Sequence, residues 1–479
     1  MTLAELFAPY GANEDWNGVE ISDITRDITQ VKRGSVFVCT RGQVHDGHLE
    51  APKALEQGAA AVVTGRDLGL ENQLIVPDPS EAYASLCAAF YGFPAKKLRL
   101  IGVTGTNGKT TVTHMIQAML QRAGYVCGII GTLGGRAGQR VFEAHNTTPD
   151  AKELHRTLAA MVEEECQFCV MEVSSHALDQ GRVAGLRFEA GVFTNLTQDH
   201  LDYHLTMENY LAAKKKLFAQ SDIGVYNLDD AYGMRMIEGL SCRKVAYSAD
   251  NSVAHYTAQN ITYSMDSVRF DLLGHGITGR VNLKIPSLFS VYNALAAAAC
   301  VLSLGLPFAS VVDALNQFEG VKGRMERVPT GRDFTIVIDY AHTPDGLEKV
   351  LSACRKGGPK RLVALFGCGG DRDRAKRPLM GKVVMEGADF AILTSDNPRS
   401  EDPQAIIDDI VEGIRAYSTP YVVIPNRQDA IRYAVRTARP GDLILLAGKG
   451  HETYQILSTG VIHLDEREII AEQLAKLER

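Results

Sequence analysis

Short apolar runs rich in Val, Ile and Leu alternate with helical patterns along most of the chain. The run LRLIGVTG at 98–105 is typical of a buried strand, and the helical stretch behind it ends near Gly124. Further strands of this kind are predicted at 125–131, 166–173 and 190–196. Strands that alternate with helices predict an α/β fold, here a doubly wound, mostly parallel central sheet with helices on both faces.

The part of the chain before this central region predicts a small N-terminal α/β domain at 1–98. The segment FPAKK near its end has the proline and the change to basic composition that are typical of a hinge. The predicted elements of this domain are strands at 36–42 and 59–65 and helices at 49–57 and 80–91.

Positions 253–285 alternate between apolar and polar residues, which predicts an antiparallel ribbon before the Ala-rich helix at 291–304. The central domain is therefore expected to span 99–327. Beyond it, a Rossmann-like α/β domain at 328–479 has five strand patterns, each followed by a loop rich in Gly, Asp, Asn or His. Ligands of open α/β sheets bind at the carboxyl ends of the strands, so we expect the chemistry in these loops.

Composition narrows the function classes. Of the 479 residues, 45% are hydrophobic and 22% are charged, as in ordinary soluble proteins. The formal charge of −7 argues against nucleic-acid binding but leaves anionic small molecules open. The N-terminus lacks the features of a signal peptide, and no stretch approaches the roughly 18 apolar residues of a membrane span. We expect a cytoplasmic monomer with small-molecule substrates and no membrane or nucleic-acid partner.

The nine cysteines are scattered, and only Cys166 and Cys169 have CxxC spacing. Both lie in an apolar, strand-like run with no second pair that could complete a zinc site. Buried, reduced thiols are therefore the expected state.

A glycine-rich loop gives the strongest chemical signal. It follows a predicted strand and opens a helix, so its backbone N–H groups and the helix N-terminus favour a phosphate. Lys109 would neutralise β/γ-phosphate charge, and the Thr110 hydroxyl would hold Mg²⁺. The match to the general phosphate-loop pattern is imperfect because Val103 stands where that pattern has Gly, and the alternative is a turn without nucleotide. The loop comprises Gly105, Thr106, Asn107, Gly108, Lys109, Thr110 and Thr111.

Three further segments carry candidate groups with open alternatives. Glu172 ends a predicted strand and suits a metal or a metal-bound water, although a capping carboxylate would look the same. The loop at 195–204 crowds two Asp and two His together, which fits metal ligation, phosphate contact or plain loop polarity. The lysine run at 214–216 has the spacing of a solvated helix face.

Taken together these stretches resemble the Mur ligase family. The motifs TGTNGKTT, NTTPD, MEVSSHAL, TNLTQDHLDYH, AAKKKLF, GRME, DYAHTPD and KGHE occur in family order from about residue 100 onwards. Within the family, GDRDRAKRP and SDNPRSEDP resemble the members that add the third residue of the peptide. The run Asp396-Asn397-Pro398-Arg399 matches those members that use meso-diaminopimelate, whose distal carboxylate an Arg can bind in a fork.

The resemblance implies an ATP-dependent ligase that adds meso-diaminopimelate to UDP-N-acetylmuramoyl-L-alanyl-D-glutamate through an acyl phosphate, in peptidoglycan synthesis. It implies two Mg²⁺ sites, with ATP as co-substrate. Lys214 matches a lysine that CO₂ converts to a carbamate (N6-carboxylysine). The implied catalytic and metal-binding residues are Lys109, Thr110, Glu172, His200 and Lys214 as its carbamate.

The resemblance also implies three groups of binding residues. Asn293, Arg324, Asp339 and His342 match positions that face the nucleotide. Thr29, Asn146, Thr147, Thr148, Ser174, Gln180 and Arg182 are the expected contacts of the UDP-muramoyl dipeptide. Arg372, Asp396, Asn397, Pro398, Arg399, Gly448 and Glu452 match the diaminopimelate site, with solvated or internally paired side chains as the alternative for Glu452 and Arg372.

One stretch departs from the family. Its usual uridine-binding Asp-Ser-Arg is replaced by Asp27-Ile28-Thr29 ahead of Gly34. Ile28 has no hydroxyl, so the uridine contact is expected from Thr25, Thr29 or the loop Gln43–His45. Rival interpretations are a lysine-adding or folate-type ligase, which the 396–399 run and NTTPD disfavour, and a binding protein on an inactive scaffold. An inactive scaffold should have lost Lys109, Glu172, His200 or Lys214, and all four are present.

Overall fold

The computed structural model describes residues 1–11, 16–42, 46–143, 146–264 and 267–477. These residues form four β-sheets, of four, eleven, six and two strands, with helices packed on the sheets. The predicted α/β class is confirmed. Within these ranges no helix combines the length and the apolar composition needed to cross a membrane.

The N-terminal sheet is parallel and has the order β1-β2-β3-β4. The strands predicted at 36–42 and 59–65 are its two central, fully buried strands. The FPAKK segment forms a short 3₁₀ turn, Pro94–Lys97, that leads into the next sheet. The elements are α1 (Leu3–Phe7), β1 (Asp23–Thr25), β2 (Ser35–Val38), α2 (Ala51–Glu56), β3 (Ala61–Thr64), β4 (Gln73–Ile75) and α3 (Pro79–Phe90).

The eleven-stranded sheet is the doubly wound, mostly parallel sheet that the sequence predicts. Its order is β15-β14-β13-β12-β11-β10-β5-β9-β6-β7-β8. The strands are β5 (Arg99–Thr104), β6 (Cys127–Gly131), β7 (Gly134–Ala137), β8 (Arg140–Phe142), β9 (Phe168–Glu172), β10 (Phe188–Phe193), β11 (Ser221–Asn227), β12 (Arg243–Ser248), β13 (Tyr256–Tyr263), β14 (Val268–Gly274) and β15 (Ile277–Leu283).

The antiparallel ribbon predicted at 253–285 is confirmed as β13 to β15, and it extends the central sheet because β13 pairs in parallel with β12. The Ala-rich helix follows it with a nearly fully buried middle, since alanines let it approach the sheet closely. The helices are α4 (Lys109–Arg122), α5 (Ala151–Glu163), α6 (Ser175–Asp179), α7 (Leu201–His204), α8 (Met207–Ala219), α9 (Gly233–Ile237), α10 (Leu288–Ser303) and α11 (Phe308–Gln317).

The six-stranded sheet has the order β16-β17-β21-β18-β19-β20, and only β16 runs antiparallel to its neighbour. All five predicted strands of this part are present. The elements are β16 (Glu326–Val328), β17 (Thr335–Asp339), α12 (Pro344–Lys356), β18 (Arg361–Phe366), α13 (Lys376–Gly387), β19 (Phe390–Leu393), α14 (Pro403–Ile414), β20 (Tyr421–Val423), α15 (Arg427–Arg436), β21 (Asp442–Ala447), β22 (Tyr454–Leu457), β23 (Gly460–His463) and α16 (Glu466–Lys476).

A fully buried ion pair anchors the loops at the carboxyl ends of this sheet. Arg427 at the start of α15 pairs with Glu466 at the start of α16 at 2.7 Å. The same guanidinium donates to the carbonyl oxygens of Ser395 and Ala447, which lie at the ends of β19 and β21. The loops that follow these two strands therefore leave the sheet from fixed positions.

The cysteines agree with the prediction. All nine are buried free thiols, and burial raises the pKa of the Cys169 thiol well above its usual range.

Candidate active site

Strand ends from two different sheets face one cleft of about 1810 Å³. The eleven-stranded sheet contributes residues that follow β6, β9 and β10, and the six-stranded sheet contributes residues that follow β17, β18, β19 and β21. Parallel strands end at one edge of a sheet, so their polar loops collect there. Among the sequence-predicted residues, the cleft is lined by Asn146, Thr147, Ser174, Arg182, His200, His342, Arg372, Asp396, Asn397, Arg399, Gly448 and Glu452.

The phosphate loop has the predicted strand–loop–helix setting between β5 and α4. Gly108 caps the helix with φ +88°, and a Cβ there would lie 2.5 Å from Oδ1 of Asn293. Lys109 folds back over the loop, so that its Nζ donates to the carbonyl oxygens of Gly105 (3.0 Å) and Thr106 (2.9 Å). Burial lowers the pKa of Lys109, and an arriving phosphate would exchange these carbonyl contacts for an ionic one.

Asn107 and Thr111 complete the loop. The Asn107 backbone N–H donates to Oδ1 of Asn195, and its side-chain amide donates to Oδ2 of Asp345 at 2.8 Å. Asp345 begins α12 and also accepts a hydrogen bond from the Thr197 hydroxyl at 3.1 Å. Thr111 lies half-buried in the first turn of α4.

Glu172 is a deeply buried carboxylate, 1% exposed, at the end of β9. Its Oε2 accepts from the Thr110 hydroxyl at 3.1 Å, and its Oε1 accepts from the backbone N–H of Thr132 at 2.8 Å. Within the described ranges no Lys, Arg or His forms an ion pair with it. A buried carboxylate beside a hydroxyl is the oxygen donor set that Mg²⁺ prefers, so these residues fit the expected ion.

His200 lines the cleft just before α7. It adopts φ +53°, and its backbone N–H donates to Oδ1 of Asp199 at 2.9 Å. Desolvation lowers the pKa of His200 to about 4, which leaves a neutral imidazole that can act as a metal ligand. Across the described part of the chain no three His, Cys, Asp or Glu side chains form a metal-binding group by themselves. The predicted metal ligands include only two such side chains, Glu172 and His200. The other two are the Thr110 hydroxyl and the modified Lys214.

Lys214 in α8 is buried, with 1% of its surface exposed, although the lysine run to which it belongs has the spacing of a solvated helix face. Its Nζ donates to the Gly105 carbonyl oxygen at 2.9 Å and lies 4.5 Å from the Tyr210 ring centroid. Burial, assisted by the charge of Lys109, lowers the pKa of Lys214 well below its usual range. A neutral amine at the base of the phosphate loop is the form that reacts with CO₂.

The predicted nucleotide-facing residues lie around the same loop. Arg324 donates to the Thr110 hydroxyl at 3.0 Å and stacks over the Tyr340 ring. Asp339 accepts from the backbone N–H groups of Met325 and Ala341, and burial raises its pKa. Burial lowers the pKa of His342, which borders the cleft, while Asn293 is buried against Gly108.

Residues predicted to bind the dipeptide substrate form a connected strip along the central sheet. The Thr148 hydroxyl donates to the Glu172 carbonyl oxygen at 2.9 Å and accepts from the Ser174 N–H at 2.9 Å. Arg182 donates to the Thr148 carbonyl oxygen and to Oε1 of Gln180. Asn146 and Thr147 precede this strip on the wall of the cleft. The strip thus connects Glu172, the predicted metal ligand, with the surface of the cleft.

The expected uridine end is less complete. The Thr29 hydroxyl and N–H both donate to Oδ1 of Asp27, which caps a 3₁₀ turn at Ile28–Gln30. Thr25 is buried and bonds within the same turn. The third expected contact, the loop Gln43–His45, lies outside the described residues.

The predicted amino-acid site lies on the opposite wall. Arg399 adopts φ +54° and donates only to backbone oxygens, at 2.8 Å to Gly370. Arg372 donates to the Asp371 carbonyl oxygen rather than to a carboxylate. Two guanidinium groups with no carboxylate partner among the described residues therefore border the cleft. Asp396, two residues before Pro398, has a buried Oδ2 atom beside Gly448. This oxygen has no hydrogen-bond partner among the described residues.

Sequence reasoning missed several residues of this wall. Lys449 is fully buried and pairs with Glu452 at 2.9 Å, while Asn397 donates to the same carboxylate. The buried Arg377 donates to the half-buried Glu401, which lines the same cleft. Lys449 stands within KGHE, and Arg377 and Glu401 stand within the two motifs that resemble the third-residue ligases, so their positions were visible but their partners were not.

We expect Gly108→Ala to weaken binding of a non-hydrolysable ATP analogue by more than tenfold, because the new methyl group meets Asn293 at the mouth of the loop. Gly124→Ala is the matched control, since Gly124 also has φ +88° but has no atom within 4 Å of the added Cβ. Both variants should lose roughly 1–2 kcal/mol of stability from backbone strain. Calorimetric titration that finds equal analogue affinity in the two variants would contradict the assignment of the loop.

Comparisons with known proteins agree with this geometry. The profile of the Mur ligase middle domain matches residues 103–301, and that of the Mur ligase glutamate ligase domain matches 323–450. UDP-N-acetylmuramoyl-L-alanyl-D-glutamate–2,6-diaminopimelate ligase 1 of Clostridium acetobutylicum is 46% identical over 464 residues, covering 96% of each chain. The corresponding ligase of Caldanaerobacter subterraneus subsp. tengcongensis is 46% identical over 465 residues, again with 96% coverage of both.

Solved structures show the same relationship. The structure of a UDP-N-acetylmuramoyl-L-alanyl-D-glutamate–2,6-diaminopimelate ligase matches with a TM-score of 0.72 and 32% identity, over 100% of both chains. The MurF ligase of Thermotoga maritima, solved in complex with ADP, shares the fold at 16% identity, with a TM-score of 0.63 over 96% of this chain and 97% of its own. The chain is a member of the Mur ligase family.

Proposed function

We propose that this protein is an ATP-dependent ligase that joins meso-2,6-diaminopimelate to UDP-N-acetylmuramoyl-L-alanyl-D-glutamate during peptidoglycan synthesis. The observation that carries the proposal is the cleft itself. One wall presents His200 and Thr132, and Thr132 donates to the buried Glu172, which in turn accepts from Thr110 of the phosphate loop. The other wall presents Arg372 and Arg399 without carboxylate partners among the described residues. The names of the relatives at 42–46% identity agree with this substrate pair.

The reaction must first activate a carboxylate, because its oxygen is a poor leaving group towards an amine. Transfer of the ATP γ-phosphoryl group to the D-Glu carboxylate gives an acyl phosphate and ADP. Positioning and charge neutralisation dominate such a step. Lys109 supplies a positive charge at the loop, and the N-terminus of α4 supplies N–H donors to the phosphates. The diaminopimelate amine then attacks the acyl carbon, and phosphate leaves from the tetrahedral intermediate.

Two Mg²⁺ ions complete the proposed site, with Thr110 serving one and Glu172, His200 and the modified Lys214 serving the other. When bound, the ions neutralise phosphate charge and orient the transferred group. Thr110 donates to Glu172, so the two sets of ligands adjoin. We assign His200 and His342 to ligand and positioning roles. Desolvation lowers the pKa of His200 to about 4, which leaves a neutral imidazole suited to a cation, and it lowers the pKa of His342 as well.

The Lys214 carbamate resolves a physical problem of this site. A buried amine with no carboxylate partner among the described residues is costly when charged, and the charge of Lys109 adds to that cost. Reaction of the neutral amine with CO₂ forms an N–C bond and releases a proton, which gives an anionic carbamate that suits the Mg²⁺ ligand set. The carbamate would also offset the positive charge of Lys109.

Asn146, Thr147, Thr148, Ser174, Gln180 and Arg182 are the proposed contacts of the dipeptide substrate, with Thr29 towards the uridine. In the division we propose, 1–98 grips the nucleotide sugar, 99–327 carries ATP and the acyl acceptor, and 328–479 carries the amine. Each of these ranges contains one of the three larger sheets, apart from the single strand β16. We propose a cytoplasmic monomer whose ATP and amine walls meet on closure and exclude water from the acyl phosphate.

Recognition of diaminopimelate is assigned to Arg399 and Arg372, with Glu452 and the Asp396–Arg399 run around the amino-acid end. Lysine lacks the distal carboxylate, so it would leave a guanidinium unpaired. Glu452 already accepts from Lys449 and Asn397, which fixes its carboxylate at the cleft wall before an ammonium arrives. Selectivity thus rests on charge pairing rather than on size.

We expect phosphate release from ATP with the UDP-muramoyl dipeptide to require diaminopimelate and to be near background with L-lysine. Arg399→Ala should lower kcat/KM for diaminopimelate roughly hundredfold and leave the lysine rate almost unchanged, because only the first amine loses a fork contact. Arg432→Ala is the control, since Arg432 forms exposed pairs on α15. Equal wild-type release with both amines would refute the selectivity, and no release with either would refute the proposed reaction.

We expect ¹³C-labelled bicarbonate to give a carbamate carbon signal in wild-type protein that is absent from Lys214→Ala. The same variant should lose activity on the order of hundredfold, because the anionic ligand is missing. Lys216→Ala is the matched control on the same helix, since Lys216 is exposed and pairs with Asp179. An unmodified Lys214 in fully active protein, measured by NMR and by intact mass under CO₂, would rule the modification out.

A further inference from the structure

The two arginines that face the proposed distal carboxylate stand on strained loops. Asp371, next to Arg372 in the loop after β18, has φ +53°, and Arg399 itself, in the loop after β19, has φ +54°. Non-glycine residues rarely adopt this conformation, and it persists only where surrounding contacts hold it. Contacts around these two loops must therefore maintain their conformation.

The loops interlock at their tips. The Gly370 N–H donates to the Asn397 carbonyl oxygen at 2.9 Å, and Nη1 of Arg399 donates back to the Gly370 carbonyl oxygen at 2.8 Å. The backbones approach so closely that a Cβ on Gly370 would lie 1.9 Å from the Pro398 carbonyl oxygen. Ser400 adds a hydroxyl bond of 2.7 Å to the Asp371 carboxylate.

An ion pair between the buried Arg377 and the half-buried Glu401 connects to both loops. Arg377, fully buried at the start of α13, donates to both carboxylate oxygens of Glu401 at 2.8 and 3.0 Å. Oε1 of Glu401 also accepts the Asp371 backbone N–H at 2.6 Å. Arg374 of the Arg372 loop also donates to Glu401 at 3.0 Å. Glu401 belongs to the Arg399 loop and Asp371 to the Arg372 loop, so one carboxylate joins both loops and connects them to the buried Arg377. The hydrogen bonds from Arg377 are the main reason that the pKa of Glu401 falls to about 2.

We propose that the Arg377–Glu401 pair is a positioning device that fixes Arg372 and Arg399 relative to each other and thereby sets the affinity and selectivity for an amine that carries a distal carboxylate. The inference rests on the proposed function and deepens it. Arg377 is buried outside the cleft lining, and Glu401, which borders the cleft, acts through the two loops rather than as a contact of the amine. Their role is to hold two guanidinium groups at the separation that one carboxylate requires.

Asp409 separates this role from plain stabilisation. It accepts from Nη1 of the same Arg377 at 2.8 Å but stands on α14. Its contact with the loops among the described residues is a long ion pair, 3.9 Å, with the exposed Arg374. Truncation of Asp409 and of Glu401 each removes one carboxylate from the same buried guanidinium. Only the loss of Glu401 releases the Asp371 loop.

The test measures steady-state kinetics of Glu401→Ala, Asp409→Ala and Arg377→Lys, with thermal midpoints for each. Glu401→Ala should raise KM for diaminopimelate on the order of tenfold, while KM for ATP stays within about twofold. The ratio of diaminopimelate to lysine turnover should fall by a similar factor. Asp409→Ala should lower the thermal midpoint but keep KM for diaminopimelate within about twofold. Arg377→Lys keeps the charge but loses the fork, so it should follow Glu401→Ala.

Three outcomes would overturn the inference. An unchanged KM for diaminopimelate in Glu401→Ala would show that the two loops keep their positions without the Arg377–Glu401 pair. Equal increases in Glu401→Ala and Asp409→Ala would reduce the pair to general stability. A normal KM in Arg377→Lys beside a raised one in Glu401→Ala would show that Glu401 acts without Arg377, either through Arg374 or by contacting the amine. Failure of the wild-type protein to use diaminopimelate would instead refute the proposed function, so the two failures are distinguishable.

Discussion

A carboxylate buried at the end of β9 is the constraint around which the central sheet is arranged. Glu172 accepts from the Thr110 hydroxyl of the phosphate loop and from the Thr132 N–H at the end of β6, and its own backbone oxygen holds Thr148. Removing a charge from water is costly unless a counter-charge is supplied. Within the described ranges no side chain forms an ion pair with it, so a bound cation is the natural partner.

Glu172 links three parts of the central wall. The phosphate loop contacts its carboxylate through Thr110, and Arg324, from the region before β16, donates to the same Thr110 hydroxyl. The dipeptide strip contacts the backbone oxygen of Glu172 through Thr148, which also donates to Ser174. Asp345 of α12 adds a second bridge from the six-stranded sheet to Asn107 of the loop. The loop proposed to bind the nucleotide is therefore joined by direct contacts to the six-stranded sheet, which carries the proposed amine site.

Much of this organisation could be predicted from the sequence, because local patterns determine it. The strand before Gly105, the helix behind Lys109 and the polar loops after each C-terminal strand all follow from periodicity and from the rule of carboxyl ends. The partners of long-range contacts could not be predicted. The lysine run suggested a solvated face, yet Lys214 is buried, since which turn of α8 faces the phosphate loop depends on how the helix packs. The ion pair of Arg377 and Glu401 joins residues 24 positions apart, and no local sequence pattern indicates it.

The most direct test of the central claim is Glu172→Gln, measured as ligation rate and thermal midpoint in the same preparation. The amide keeps the size and an oxygen acceptor but removes the buried charge. If the carboxylate exists to hold a cation against ATP, ligation should fall by roughly hundredfold or more while the thermal midpoint stays equal or rises, because an unpaired buried charge has been removed. A variant that ligates within a few-fold of wild type would contradict the account, and would make Glu172 a structural acceptor for Thr110 and Thr132.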